Sequence, residues 1–149
     1  MNLRATSRSP KPDGTTGPTA SVLLVDENAG DLDMLSVLFE KEGYAVRSYG
    51  SYAAALDRLQ SETFDFIVVS QGSPLFEGRS ILERAIEIDR RLPVLVLARC
   101  HDIGCYLEAM QLGALDYFEK PLPPQELLRL VKSHLGSRNS RHLVALRKV

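Results

Sequence analysis

The chain has 149 residues, enough for one domain with an ordinary core and too few for two. Hydrophobic residues make up 44% and charged residues 25%, the balance of a globular protein that folds in water. A formal net charge of −1 gives no global attraction to nucleic acid or an anionic membrane, and no apolar run approaches the ~20 residues of a membrane span.

Residues 1–20 are rich in Ser, Thr, Pro and Gly and predict a disordered leader. Arg4, Arg8 and Lys11 are followed by no apolar block, so no secretory signal is read there. Two cysteines, Cys100 and Cys105, then fit reduced thiols in a cytoplasm. Val22 to Val25 is uninterruptedly apolar and ends abruptly at Asp26-Glu27-Asn28, the pattern of a buried strand with two acids at its tip. A helix is predicted from about Gly30 to Glu42, with Leu32, Leu35 and Phe39 on one stripe, Met34 and Leu38 widening it, and Gly43 at its end. Ala45 to Tyr49 alternates apolar and polar, as an edge strand does, and a short Ala-rich helix follows over Tyr52 to Gln60.

Phe66 to Val69 is a run of aromatic and β-branched residues, the mark of a strand buried on both faces. It stops at Ser70, and Gly72, Pro74 and Gly78 mark the loop beyond. Ile81, Leu82, Ala85, Ile86 and Ile88 support a third helix, closed near Leu92-Pro93. Val94 to Leu97 is another apolar strand, ending at Ala98-Arg99. Asp102 is placed to cap a helix with Ile103, Leu107 and Met110 on its inner stripe, and Gly113 follows it. Leu115 to Glu119 reads as a weaker strand running into Lys120-Pro121. Pro124 can start a last helix that turns Leu128, Val131 and Leu135 inward before Gly136. Residues 137–149 form a basic tail, with Arg138, Arg141, Arg147 and Lys148.

Five strand–helix alternations predict an α/β domain over residues 21–136, a parallel sheet between two layers of helices. In the flavodoxin-like strand order 2-1-3-4-5, the carboxyl ends of strands one and three meet at the switch point, where ligands and chemistry collect. Asp26 and Glu27, Ser70 and Lys120 all stand at such ends.

Val22 to Glu27, Phe64 to Ser70 with Pro74 and Gly78, Leu92-Pro93-Val94 to Ala98, and Gly113 to Pro121 together resemble the receiver domain (CheY-like) of bacterial two-component response regulators. The resemblance covers about residues 20–136. It implies that Asp26 and Glu27 match a pair that binds Mg²⁺, that Lys120 matches the lysine contacting the phosphoryl group, and that Tyr117 matches an aromatic that moves on activation. Two positions depart from the family pattern. Ser70 stands where the acceptor Asp belongs, and Ala98 where a Ser or Thr belongs. Asp65 cannot substitute, being ~16 Å away at ~3.3 Å per residue.

Two carboxylates in place of three should hold the hard Mg²⁺ ion only weakly, so no firm cofactor is expected. A Ser hydroxyl, unlike a carboxylate, needs a general base before it becomes a nucleophile, and no His has a motif-based reason to sit beside Ser70. The expectation is a degenerate receiver, a pseudo-receiver: no enzyme, but a phosphorelay-type signalling module working through protein–protein contacts. By the resemblance, its surface would be the fourth helix, fifth strand and fifth helix, with Tyr106, Met110, Tyr117 and Gln125. The partner would be a second copy, an output domain or another protein.

Other roles stay open at this point. Asp26 and Glu27 could be solvated helix caps neutralised by Lys120, and Ser70 either a polar filler or the target of a separate kinase. Tyr117 could be simply a half-buried strand aromatic. Cys100-His101 with Cys105 matches no zinc spacing, and His134 and His142 read as surface residues. A flavodoxin-like ligand binder is disfavoured, because Asp26-Glu27 would repel a phosphate at the place where a glycine-rich loop would bind one. Nucleic-acid binding through the basic tail is disfavoured as well.

Overall fold

The computed structural model describes residues 19–135; most of the expected leader, the basic tail and His142 lie outside them. The elements are β1 (Ser21–Val25), α1 (Ala29–Lys41), β2 (Ala45–Tyr49), α2 (Tyr52–Ser61), β3 (Phe66–Ser70), α3 (Arg79–Ile88), β4 (Val94–Ala98), α4 (Ile103–Leu112) and β5 (Asp116–Glu119). A fifth helix, α5, occupies residues 124–135 of the described chain. All four strand pairings are parallel, in the order β2-β1-β3-β4-β5. This is the expected three-layer fold, with β3 at its centre.

Alternation within each strand divides the core in two. Leu23, Val25, Ile67, Val69, Val94 and Val96 face the layer of α2, α3 and α4, while Val22, Leu24, Phe66, Val68, Leu95 and Leu97 face α1 and α5. Every residue of β3 and β4 is buried. Burial of each large aliphatic side chain is worth about 1.5–3 kcal/mol, so stability is concentrated in β1, β3 and β4. The edge strand β2 alternates, with Val46 its one buried residue.

Helix starts follow local chemistry. Asn28, Ser51 and Asp102 are the N-caps of α1, α2 and α4, each side chain accepting a hydrogen bond from the backbone N–H three residues on. Gly113 ends α4 in the left-handed conformation at φ 111°, which an L side chain adopts only at a cost.

Three sequence expectations are corrected. The inner stripe of α4 is Cys105 and Ala109, not Ile103 and Leu107, which are 70% and 53% exposed. The small pair lets the helix lie close against the sheet, with Tyr106, Met110 and Leu112 packed beside it and Ile103 and Leu107 turned to water. Met34 likewise lies outside the buried stripe of α1, which is Leu35 and Phe39. His134 is no simple surface residue: its ring packs edge-on against buried Phe66, at 6.0 Å between centroids.

Candidate functional site at the carboxyl edge of the sheet

The sheet fixes the site residues through the strands they terminate. Asp26 N–H bonds the Tyr49 carbonyl at 3.1 Å, Gln71 N–H the Leu97 carbonyl at 2.7 Å, and Lys120 N–H the Ala98 carbonyl at 2.7 Å. Parallel pairing thereby gathers Asp26, Ser70, Ala98 and Lys120 at one edge, as expected. The Lys120–Pro121 peptide is cis.

Asp26 is 3% exposed and is therefore neither solvated nor a helix cap; Asn28 caps α1. Both Asp26 oxygens are engaged: Oδ1 accepts from Asn28 N–H at 2.9 Å, and Oδ2 from Lys120 Nζ at 2.7 Å. Lys120 Nζ also donates to Asp31 Oδ2 at 3.0 Å. Burial works against the Lys120 charge, but the two carboxylates outweigh it and hold its pKa above the ordinary lysine value. Lys120 is thus an internal cation between two acids.

Ser70 is 5% exposed, and its Oγ accepts from Gly72 N–H at 3.3 Å. On the other side is Glu27, whose Oε1 takes a 2.9 Å hydrogen bond from the Tyr52 hydroxyl. Burial pushes the Glu27 pKa up, but bonds from its own backbone N–H and from Tyr52 and Ser70, with the charge of Lys120, leave it below the ordinary value. A carboxylate so stabilised is a poor general base for a hydroxyl. Ser70 has no other base among the groups that touch it.

The donor set does not fit a Mg²⁺ ion. Such an ion needs several oxygens at about 2.0–2.1 Å in octahedral array. Here both oxygens of Asp26 are taken, Glu27 is bonded to Tyr52, and position 70 supplies a hydroxyl where the family has a carboxylate. Among the described residues no three His, Cys, Asp or Glu side chains converge to hold a metal, Cys100, His101 and Cys105 included. Cys100 is exposed and Cys105 buried, both as free thiols.

Tyr117 is 4% exposed, so it does not belong to the outer surface where it was expected alongside Tyr106, Met110 and Gln125. Its hydroxyl donates to Gln71 Oε1 and accepts from Asp102 N–H at 3.1 Å. Burial raises the phenol's pKa, which keeps it a neutral donor. His101 and Tyr106 cover the ring, at centroid distances of 5.3 and 5.7 Å. Ala98 is fully buried and leaves no hydroxyl beside this cluster. Tyr106 and Met110 are half-buried on α4, and Gln125 is exposed on α5.

Three residues of the site were not foreseen: Asp31, Tyr52 and Gln71. Asp31 had a signal, since Asn28 three residues before it is a good helix cap and so places Asp31 in the first turn above the strand tip. Gln71 is a polar residue directly after a buried strand, and the same position made Ser70 a candidate. Tyr52 sits on a different helix and carries no motif.

The family model for the response regulator receiver domain matches residues 22–132. Sporulation initiation phosphotransferase F of Bacillus subtilis is 31% identical over 114 residues, 76% of this chain and 92% of the relative. Transcriptional regulatory protein FixJ of Bradyrhizobium diazoefficiens is 29% identical over 112 residues, 75% of this chain and 55% of the relative, so this chain spans about half of that longer protein. The fold matches a CheY-like receiver domain from Methanospirillum hungatei with a TM-score of 0.77 at 23% identity, over 83% of this chain and 99% of that one. On strand order, sequence match and shared architecture alike, the chain belongs to the response regulator receiver domain family.

Proposed function

We propose that this chain is a pseudo-receiver: a cytoplasmic signalling module of the two-component type that does not accept a phosphoryl group at position 70, has no enzymatic activity, and acts by binding a protein partner. One observation carries the reading. The tip of the central strand presents a buried hydroxyl, Ser70, whose carboxylate neighbour Glu27 is a poor base to activate it, and Lys120 is committed to Asp26 and Asp31.

Docking on the face of α4, β5 and α5 is supported by the composition of α4. Its single charged residue, Glu108, is ion-paired with Arg79 of α3, and Ile103 and Leu107 point to solvent. A helix apolar on its outer side is a contact surface in waiting. The partner is a second copy of the chain, an output domain or a separate protein. Phosphorylation of Ser70 by a separate kinase is disfavoured, because a side chain that is 5% exposed within a strand cannot enter another enzyme's active site.

The test is incubation with Mg²⁺ and either acetyl phosphate or beryllofluoride, followed by intact-mass analysis and ¹H–¹⁵N spectra. Mass and spectra should stay unchanged. A base-labile phosphoryl adduct, or saturable shifts around residue 70, would refute the reading.

A further inference from the structure

Tyr52, the first residue of α2, reaches across to the strand tips. Its hydroxyl lies 2.9 Å from Glu27 Oε1 and 3.1 Å from the Ser70 carbonyl oxygen, so one proton bridges the tips of β1 and β3. The opposite wall makes room for it. Gly72 has φ +87°, and a Cβ there would lie 3.0 Å from the Tyr52 hydroxyl oxygen and 2.3 Å from Glu77 Oε1. Glu77 is itself held by Ser73, through the backbone N–H at 2.7 Å and the hydroxyl at 2.8 Å.

We infer that Tyr52 is a built-in plug, holding the Glu27 carboxylate against the tip of β3, so that a restored carboxylate at position 70 would not by itself restore a divalent-cation site. Glu27 would have to give up its bond from the Tyr52 hydroxyl before turning to a cation, whereas Asp26 is already committed to Lys120. The block on this site is then double, a missing nucleophile and an occupied ligand. The inference rests on reading the strand tip as a retired acceptor site.

The experiment is a Mg²⁺ titration followed through the backbone amides of residues 26, 27 and 70–72 in ¹H–¹⁵N spectra. It compares the unaltered chain, Ser70→Asp, Ser70→Asp with Tyr52→Phe, and Ser70→Asp with Tyr52→Ala. Tyr52→Phe keeps the ring and the fold and removes only the bridging hydroxyl; Tyr52→Ala also removes the ring. The expected result is negligible binding by the unaltered chain, weak binding by Ser70→Asp, and binding about tenfold or more tighter once Tyr52 is also changed. The plug is overturned if Ser70→Asp alone binds as tightly as both double variants, or if both remain as weak as Ser70→Asp. Either outcome leaves the pseudo-receiver reading standing. That reading instead falls if the unaltered chain takes up beryllofluoride.

Discussion

Lys120 shows how much of this site is electrostatic bookkeeping within the fold. Its ammonium group is mostly buried between Asp26 and Asp31, and removing it leaves Asp26 as an uncompensated buried charge. Lys120→Met should therefore destabilise the domain by about 3–5 kcal/mol in urea unfolding, with much of the loss recovered when Asp26→Asn is added. A recovery near zero would mean that the pair contributes little. Glu27 makes the matching prediction in acid. Its folded-state pKa lies below the ordinary 4.5, so its contribution is present above that value and is lost as pH falls through the lower folded value. Tyr52→Phe should flatten that acid limb of the stability curve, measured as unfolding midpoint against pH from about 6 to 3.

At the level of elements, close approach decides which residues are allowed. Gly78, at the start of α3, comes so near the tip of β3 that a Cβ would stand 2.2 Å from the Ser70 carbonyl oxygen. Gly78→Ala should cost about 1–3 kcal/mol by displacing the strand end, read from the denaturation midpoint. Helix α4 gives the complementary case. Ala109→Leu should cost a similar ~1–3 kcal/mol by overpacking the inner face, whereas Leu107→Ala on the outer face should change stability by under about 0.5 kcal/mol. Equal costs at the two positions would contradict the orientation of the helix. The sequence misplaced Ile103 and Leu107 because they are conspicuous apolar residues, while Met110 does pack against the core and the buried residues are the small Cys105 and Ala109. Periodicity identifies a stripe of hydrophobicity, not the side on which two surfaces fit closely.

Across the molecule, Tyr117 links the tip of β3 to the start of α4. Its hydroxyl joins Gln71, which follows β3, to the backbone N–H of Asp102, which caps α4. Tyr117→Phe leaves the buried Gln71 carbonyl without this donor, at a cost of about 1–3 kcal/mol. Amide hydrogen exchange should quicken selectively in the first turn of α4, around Asp102 to Cys105, with the strands unaffected. Uniform acceleration would indicate global destabilisation and no specific link. These bonds tie the strand tip to the first turn of α4 although Ala98 carries no hydroxyl.

The strands and their ends, the central place of β3 and the cap at Asp102 were legible in the chain as local signals, and the flavodoxin-like strand order then gathered Asp26, Ser70 and Lys120; the caps Asn28 and Ser51 were not read there. Ser70 and Ala98 also declared themselves there, as departures from a pattern of fixed spacing. The tertiary structure alone decided the partners: Asp31 for Lys120, Tyr52 for Glu27, Gln71 for Tyr117. These contacts join residues 89, 25 and 46 positions apart, and a hydrogen bond depends on distances and angles that only the packed sheet and helices impose.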